Sequence, residues 1–482
     1  MNYKMVFHIL GMILLALSAL MLLPLFVGLY YGESVNNFFI TIAGTAFIGA
    51  LLTLIRSDSS QLYAREGFAV VALGWIFISV IGALPFYISG EISSYIDALF
   101  ESVSGFTTTG STILDDVEAL SKSSAFWRIF THWIGGMGVL VFVMAVMPLN
   151  GGHSMHLMRA EIPGPVVGKL VPRAKENAMI LYNIYVALTI VEIILLRFGG
   201  MSLYEAVLHA FSTAGTGGFS TRQTSIAAFN SLYIEMVISV FMLLFSINFN
   251  LYYLLLLKQV KTVVKNEELR TFFGIVIAAT ILIALGIKNI YSGLGSALRY
   301  AFFNVSAVIS TTGFATVDYN TWPEYARYLL LGLMIIGGCA GGTAGGLKLS
   351  RMMILVKSAA ADLRQMVHPR SVNTVRLENV KVSDATVKIT QTYFVLYFLT
   401  LVICAMLVSF DGRGLVTSLT ASLASISNVG PGLDEVGPVE NYADFSVFSK
   451  LVLSLEMLMG RLEIYPILML FYPRMWRRQK TR

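Results

Sequence analysis

The chain has 482 residues, 56% hydrophobic and only 13% charged, where a soluble domain carries about a quarter of charged residues. That balance excludes a soluble globular protein and describes a polytopic membrane protein. The net charge of +6 does not point to nucleic acid, because the basic residues sit in short stretches between apolar runs, where they report orientation.

Apolar runs at 5–30 and 38–55 approach or exceed the roughly 20 residues a spanning helix requires. Residues 1–60 therefore read as a two-helix segment, and the first run is expected to be retained and not cleaved as a signal peptide. Four similar units follow, at 66–148, 178–257, 272–357 and 390–472, and a basic tail closes the chain at 473–482. Each unit reads as a spanning helix, a shorter apolar segment, a glycine turn and a second spanning helix. Segments such as 93–106 and 203–214 are too short to span; they are expected to dip into the membrane where protein or water covers them. The expectation is an all-α membrane protein of ten spanning and four re-entrant helices, with the units arranged around a pseudo-fourfold axis.

Lys and Arg gather in 56–65, 159–175, 258–270, 357–388 and the tail, whereas Asp115, Asp116, Glu118, Asp318, Glu324, Asp434, Glu435 and Glu440 lie in the alternate connections. By the positive-inside rule both termini are expected in the cytoplasm and the four turns on the outer side. Every unit then runs in the same sense, so the repeats are parallel and not inverted.

The turns are Thr107-Thr108-Thr109-Gly110-Ser111, Gly215-Thr216-Gly217-Gly218-Phe219, Ser310-Thr311-Thr312-Gly313-Phe314 and Ser427-Asn428-Val429-Gly430-Pro431. One such turn is loop punctuation. Four in equivalent places predict a ring, in which the carbonyls of Thr108, Thr109, Gly110, Thr216, Gly217, Gly218, Thr311, Thr312, Gly313, Asn428, Val429 and Gly430 replace the water shell of a cation. Glycine suits this because it accepts positive φ. The fourth turn departs most from the others, with Asn428, Val429 and Pro431.

The stretch 337–346 holds Gly337, Gly338, Gly341, Gly342, Gly345 and Gly346, and each glycine costs a helix about 1 kcal/mol relative to alanine. The last helix of the third unit is therefore expected to break there, in a loop placed to gate the pore; close helix packing by small residues is the competing reading. A phosphate-binding loop is excluded, because Leu347 stands where lysine is required. Lys348 reads as a snorkelling or a cytoplasmic-end cation. Arg461 lies inside the apolar run 451–472, where an arginine costs roughly 2.5 to 3.5 kcal/mol. It is expected to act as a barrier below the ring, or else in a buried ion pair. Glu456 and Glu463 are poorly spaced to pair with it on one helix and should meet other helices.

Weaker signals complete the reading. Asp97 and Glu101 are expected at the outer mouth, attracting cations. Asn248 and Asn250 are expected to line the cavity or bond neighbouring helices. His153 and His156 lack nearby ligands for a metal site, and Cys339 and Cys404, both in apolar segments, make no disulfide framework. No catalytic constellation occupies a shared site, so an enzyme is not expected.

The four turns, the 337–346 stretch and Gly460-Arg461-Leu462-Glu463 together resemble the Trk-type potassium uptake membrane subunits of the TrkH/KtrB/HKT superfamily, over essentially the full length. The resemblance implies potassium as the transported ion with no covalently bound cofactor, a homodimer, a cytosolic nucleotide-binding regulator like TrkA, and a bacterial inner-membrane location. It also implies that 337–346 constricts the pore and that Arg461 is part of the gate. A serine in place of the first filter glycine resembles sodium-selective members; glycine at all four positions here favours K⁺. The basic connections 159–173 and 364–388 are expected either as solvated linkers or as the docking face of the regulator. A symporter coupling K⁺ to H⁺ or Na⁺ is the alternative.

Overall fold

The computed structural model describes residues 1–55, 64–138, 174–370, 374–378 and 380–476. His153, His156 and the connection 159–173 lie outside the described residues. Among the described residues six helices are long and apolar enough to cross a membrane, or seven if one bent pair counts as a single span: Tyr3–Tyr31, Asn36–Thr53, Arg65–Ser89, Ala178–Phe198, Glu267–Ile287 and Asp384–Asp411, plus the pair Leu232–Ser246 and Phe249–Leu256. Their outward faces carry large apolar side chains such as Phe39, Phe47, Ile277, Val395 and Met406, all more than half exposed. In water such a surface would drive association; in a bilayer it is the ordinary outer face of a spanning helix.

The first two spans cross at small residues. A Cβ on Gly11 would stand 2.8 Å from Gly49 O, and one on Gly49 would stand 3.1 Å from Gly11 O, so the two backbones touch only because both positions lack a side chain.

The four units are visible in element order. Short pore helices, Tyr95–Phe106, Leu203–Gly215, Leu294–Ile309 and Leu415–Ile426, each follow a long leading helix. Ser94 and Ser202 cap the first two, Ser202 in a reciprocal capping box with Glu205, which satisfies amide donors that a helix start leaves orphaned. A trailing helix returns from each turn: Lys122–Gly136, Leu232–Ser246, Glu324–Ile336 and Val447–Arg461. The last three of these are each too short alone to span. The second bends by 93° into Phe249–Leu256, the third gives way to the 337–346 loop before Leu349–Val367, and the fourth breaks before Tyr465–Leu470. The second and fourth trailing helices, expected as single spans, are thus interrupted, and the third breaks at 337–346.

Adjacent units are stapled by polar contacts. Arg128 of the first pore unit donates to Ser220 O of the second at 3.3 Å. Arg299 of the third makes two bonds of 2.6 Å to Glu235 of the second. Asp434 and Asn320 join the fourth to the third, and Lys450 donates to Asp97 at 2.6 Å across the seam from the fourth to the first. A short antiparallel hairpin, Arg376–Leu377 with Val380–Lys381, lies between the third and fourth units.

Candidate functional site: a ring of four turns

Each pore helix ends in the same way. The amide of the second turn residue bonds back five residues, Thr109 to Ser104 O, Gly217 to Ser212 O, Thr312 to Ala307 O and Val429 to Ala424 O, at 2.8 to 2.9 Å, while the first turn residue bonds back three. This pair of bonds is the Schellman closure, which requires a left-handed residue just past the helix. Glycine normally fills that place, but here it is Thr108, Thr216, Thr311 and Asn428, at φ of 55°, 55°, 55° and 54°. A β-branched residue there is strained by about 1 to 2 kcal/mol. The glycine two positions on is also left-handed in every repeat, at φ of 85°, 85°, 77° and 97° for Gly110, Gly218, Gly313 and Gly430. The fourth turn, the most divergent in sequence, has the same backbone as the rest.

The turns close on one another in chain order. A Cβ added to Gly110 would collide with Gly217 O, one on Gly218 with Thr312 O, one on Gly313 with Val429 O, and one on Gly430 would press on Thr109 O. Each glycine thus sits on the middle carbonyl of the next repeat, and the last sits on the first. All four glycines also line a single cavity, walled by Phe219, Ala315 and Pro431. The residues preceding them, Thr108, Thr109, Thr216, Gly217, Thr311, Thr312, Asn428 and Val429, are buried. Among the described residues nothing donates a hydrogen bond to their eight carbonyls, whereas buried carbonyls in proteins are nearly always paired. An all-oxygen, uncharged donor set of this kind fits a large monovalent cation.

Side chains behind the ring fix it. Thr107 and Thr109 share a hydroxyl bond of 2.8 Å, and Ser310 and Thr312 share one of 2.7 Å. The Asn428 amide donates to Thr109 Oγ1 at 2.9 Å and to Met457 O at 3.0 Å, so the asparagine does for the fourth turn what hydroxyl pairs do for the first and third. His132 joins two repeats: its Nδ1–H donates to Gly105 O at 2.7 Å and its Nε2 accepts from Phe219 N at 3.3 Å, an arrangement that holds the ring as neutral imidazole.

The 337–346 loop lies against this ring. Gly345 N donates to Thr311 Oγ1 at 2.6 Å, and Gly346 N to Ser427 O at 3.0 Å. On its other flank the loop pairs with the break of the second trailing helix: Cys339 N to Ser246 O, Thr343 N to Phe245 O, and Phe249 N to Gly341 O, at 3.0 to 3.1 Å. Arg461 reaches the same place from the fourth unit. Its guanidinium donates to Thr343 O at 2.8 Å, to Gly136 O at 2.7 Å and to Gly135 O. A Cβ on the preceding Gly460 would collide with Ile426 O, at the end of the fourth pore helix. Arg461 therefore joins the first, third and fourth units beside the ring through bonds to backbone carbonyls. The two acids near it meet other helices, as expected: Glu463 accepts from Arg351 at 2.5 Å and Glu456 from Ser422 at 2.6 Å.

Two expectations are corrected. Glu101 is buried, accepting from Arg128 Nε at 2.6 Å and from Thr112 and Ile113, so it anchors the first turn and leaves the mouth to other acids; Asp97 is tied to Lys450. Lys348 does not snorkel: it is 3% exposed, left-handed at φ 73°, and its ammonium folds back on Ala344 O. Asn248 Oδ1 accepts from Asn250 N at 3.0 Å and caps the helix Phe249–Leu256, and the same side chain packs against Gly341 of the loop. The sequence reading also passed over Arg128, although Arg128 carries the signal that singles out Arg461, a lone charge in an apolar run.

The chain resembles known proteins over nearly its whole length. The TrkH family, described as Cation transport protein, matches residues 34–478. The chain is 35% identical over 488 residues to the Trk system potassium uptake protein TrkH of Salmonella typhimurium, covering 99% of this chain and 100% of that protein. It is 36% identical over 483 residues to TrkG of Escherichia coli, covering 99% of each. Among solved structures, the potassium transporter TrkH of Vibrio parahaemolyticus superposes with a TM-score of 0.89 at 33% identity, over 99% of this chain and 100% of that one.

Proposed function

The chain belongs to the TrkH family of cation transport proteins, multi-pass membrane transporters and not enzymes, and from that premise we propose that it takes up potassium through a channel-like pore whose selectivity filter is the ring of four turns. The observation that carries the proposal is the closed ring itself, eight buried carbonyls without donors held by left-handed residues at matching positions in four repeats. A dehydrated K⁺ needs several oxygens at once, and only convergence of separate segments supplies them. The single short turn per repeat gives fewer stacked sites than a potassium channel, so discrimination against Na⁺ is modest.

In this reading the 337–346 loop and Arg461 form the gate. The arginine lies next to the ring with its positive charge, which repels a cation, and its bonds to Thr343 O hold the loop in place. The turns face the outer side and the hairpin the cytosol, by the distribution of Lys and Arg. Two copies of the chain and a nucleotide-binding regulator on the cytosolic face complete the assembly that the family resemblance implies; co-purification of such a regulator that survives deletion of 364–388 counts against docking there.

The decisive test is transport. A bacterium lacking potassium uptake, given this chain and its regulator, is expected to grow on low K⁺, and purified protein in vesicles to carry K⁺ flux. No rescue together with no flux overturns the proposal.

A further inference from the structure

Besides its backbone pairings, among them Leu349 N to Gly338 O at 3.0 Å, the 337–346 loop is held by a carboxylate. Glu268 Oε1 accepts from Ala340 N at 2.9 Å and from Ser350 N at 3.1 Å. The first amide belongs to the loop, the second to the opening turn of Leu349–Val367, so one oxygen staples the loop to the helix that follows it. Glu268 is 7% exposed. It stands in the first turn of the third leading helix, Glu267–Ile287, which Asn266 caps. Ser350 N is an orphan donor of a helix start, and a carboxylate is its strongest partner there.

The start of Glu267–Ile287 is in turn gripped by the hairpin. Glu378, left-handed at φ 54°, accepts from Glu267 N at 2.8 Å and from Glu268 N at 3.4 Å, and returns its own amide to Glu267 Oε2 at 3.4 Å. Lys357, on the helix after the loop, binds the Glu267 carboxylate and donates to Arg376 O at 3.0 Å. Named contacts therefore run without interruption from the hairpin to the helix start, from there to Glu268, and from Glu268 to the loop.

We infer that Glu268 is the positioning residue that clamps the loop in its closed place, and that the hairpin is the handle by which displacement at that face of the membrane reaches the clamp. The assignment rests on the reading of 337–346 as a gate. Drawing the Glu267–Ile287 helix start away by the hairpin removes one acceptor from two buried amides together, and the loop regains partners only by moving toward water.

The chain supplies its own reporter. Its two cysteines are Cys339 and Cys404, and Cys339 lies within the loop at 1% exposure. In a C404S parent reconstituted in vesicles, the rate of maleimide labelling at Cys339 and the K⁺ flux are measured side by side. E268A is expected to raise both roughly ten- to a hundredfold, the factor for losing charge-assisted hydrogen bonds. E268Q keeps an oxygen acceptor and is expected to restore most of the parental rate. E378A is expected to raise labelling by less than E268A. If E268A does not fold, E268D takes its place with the same expectation, because its shorter side chain cannot reach both amides. Parental labelling in E268A or its substitute overturns the clamp, and parental labelling in E378A overturns the handle. Faster labelling with unchanged flux upholds the clamp and overturns the gate reading instead.

Discussion

Thr108, Thr216, Thr311 and Asn428 share one left-handed backbone conformation that three of these side chains disfavour by their β-branch. Strain of about 1 to 3 kcal/mol per site persists only where the surroundings over-determine it. Here the surroundings are the Schellman bonds beneath each turn and the seating of each glycine on its neighbour's carbonyl. The glycines leave no room for any side chain. Gly110→Ser must displace Gly217 O, and a change of about 1.4 kcal/mol in the relative stability of two bound ions is a tenfold change in their ratio. The K⁺ over Na⁺ flux ratio in vesicles is therefore expected to fall by roughly tenfold; a variant that folds and keeps the parental ratio removes Gly110 from the filter. The glycines were legible in the sequence because their spacing repeats. The strained residues before them were legible as letters but not as a conformation, since neither threonine nor asparagine announces positive φ.

At the level of elements, the trailing helices decide where control can sit. The breaks after Ser246, Ile336 and Arg461 meet beside the ring, and the loop and Arg461 fill the space between them. Arg461→Ala removes donations to Thr343 O, Gly135 O and Gly136 O, each worth about 1.5 to 3 kcal/mol when the donor is charged. Faster K⁺ flux, by roughly tenfold or more, is expected from protein that expresses at the parental level. Loss of the protein, or slower flux, assigns the arginine to packing instead. Only one break could be read in advance. The glycines of 337–346 reveal it, whereas Ser246-Ile247 and Leu462-Glu463 look like ordinary helix, and their interruption depends on partners in other repeats. The same dependence hid Glu268, which in the sequence is the second of two adjacent acids in a basic connection and gains its place only when Ala340 and Ser350 come to it. Asp97 and Glu101 were misplaced for the converse reason: their partners Lys450 and Arg128 stand in other elements.

Over the whole molecule, transport coupling is the property that geometry leaves to measurement of ion flow. On the proposed reading, a filter of neutral carbonyls with a gating loop beside it needs no second ion, so K⁺ flux is expected to follow the membrane potential and to stay the same when pH or Na⁺ gradients are imposed across vesicles. Flux that stalls without one of those gradients identifies a coupled symporter. The parallel, fourfold organisation was readable from the order of apolar runs and turns, because it depends on local composition alone; the staples between units, such as Arg299 with Glu235, were not. The seating of Gly110 on the second repeat, Gly218 on the third, Gly313 on the fourth and Gly430 on the first makes the ring a masonry arch bent into a circle, in which every stone is the keystone of the next. No single repeat can loosen without unseating a neighbour, so damage to any one of the four glycines should read out as the same defect, and symmetry here is a mechanical obligation on four unlike sequences.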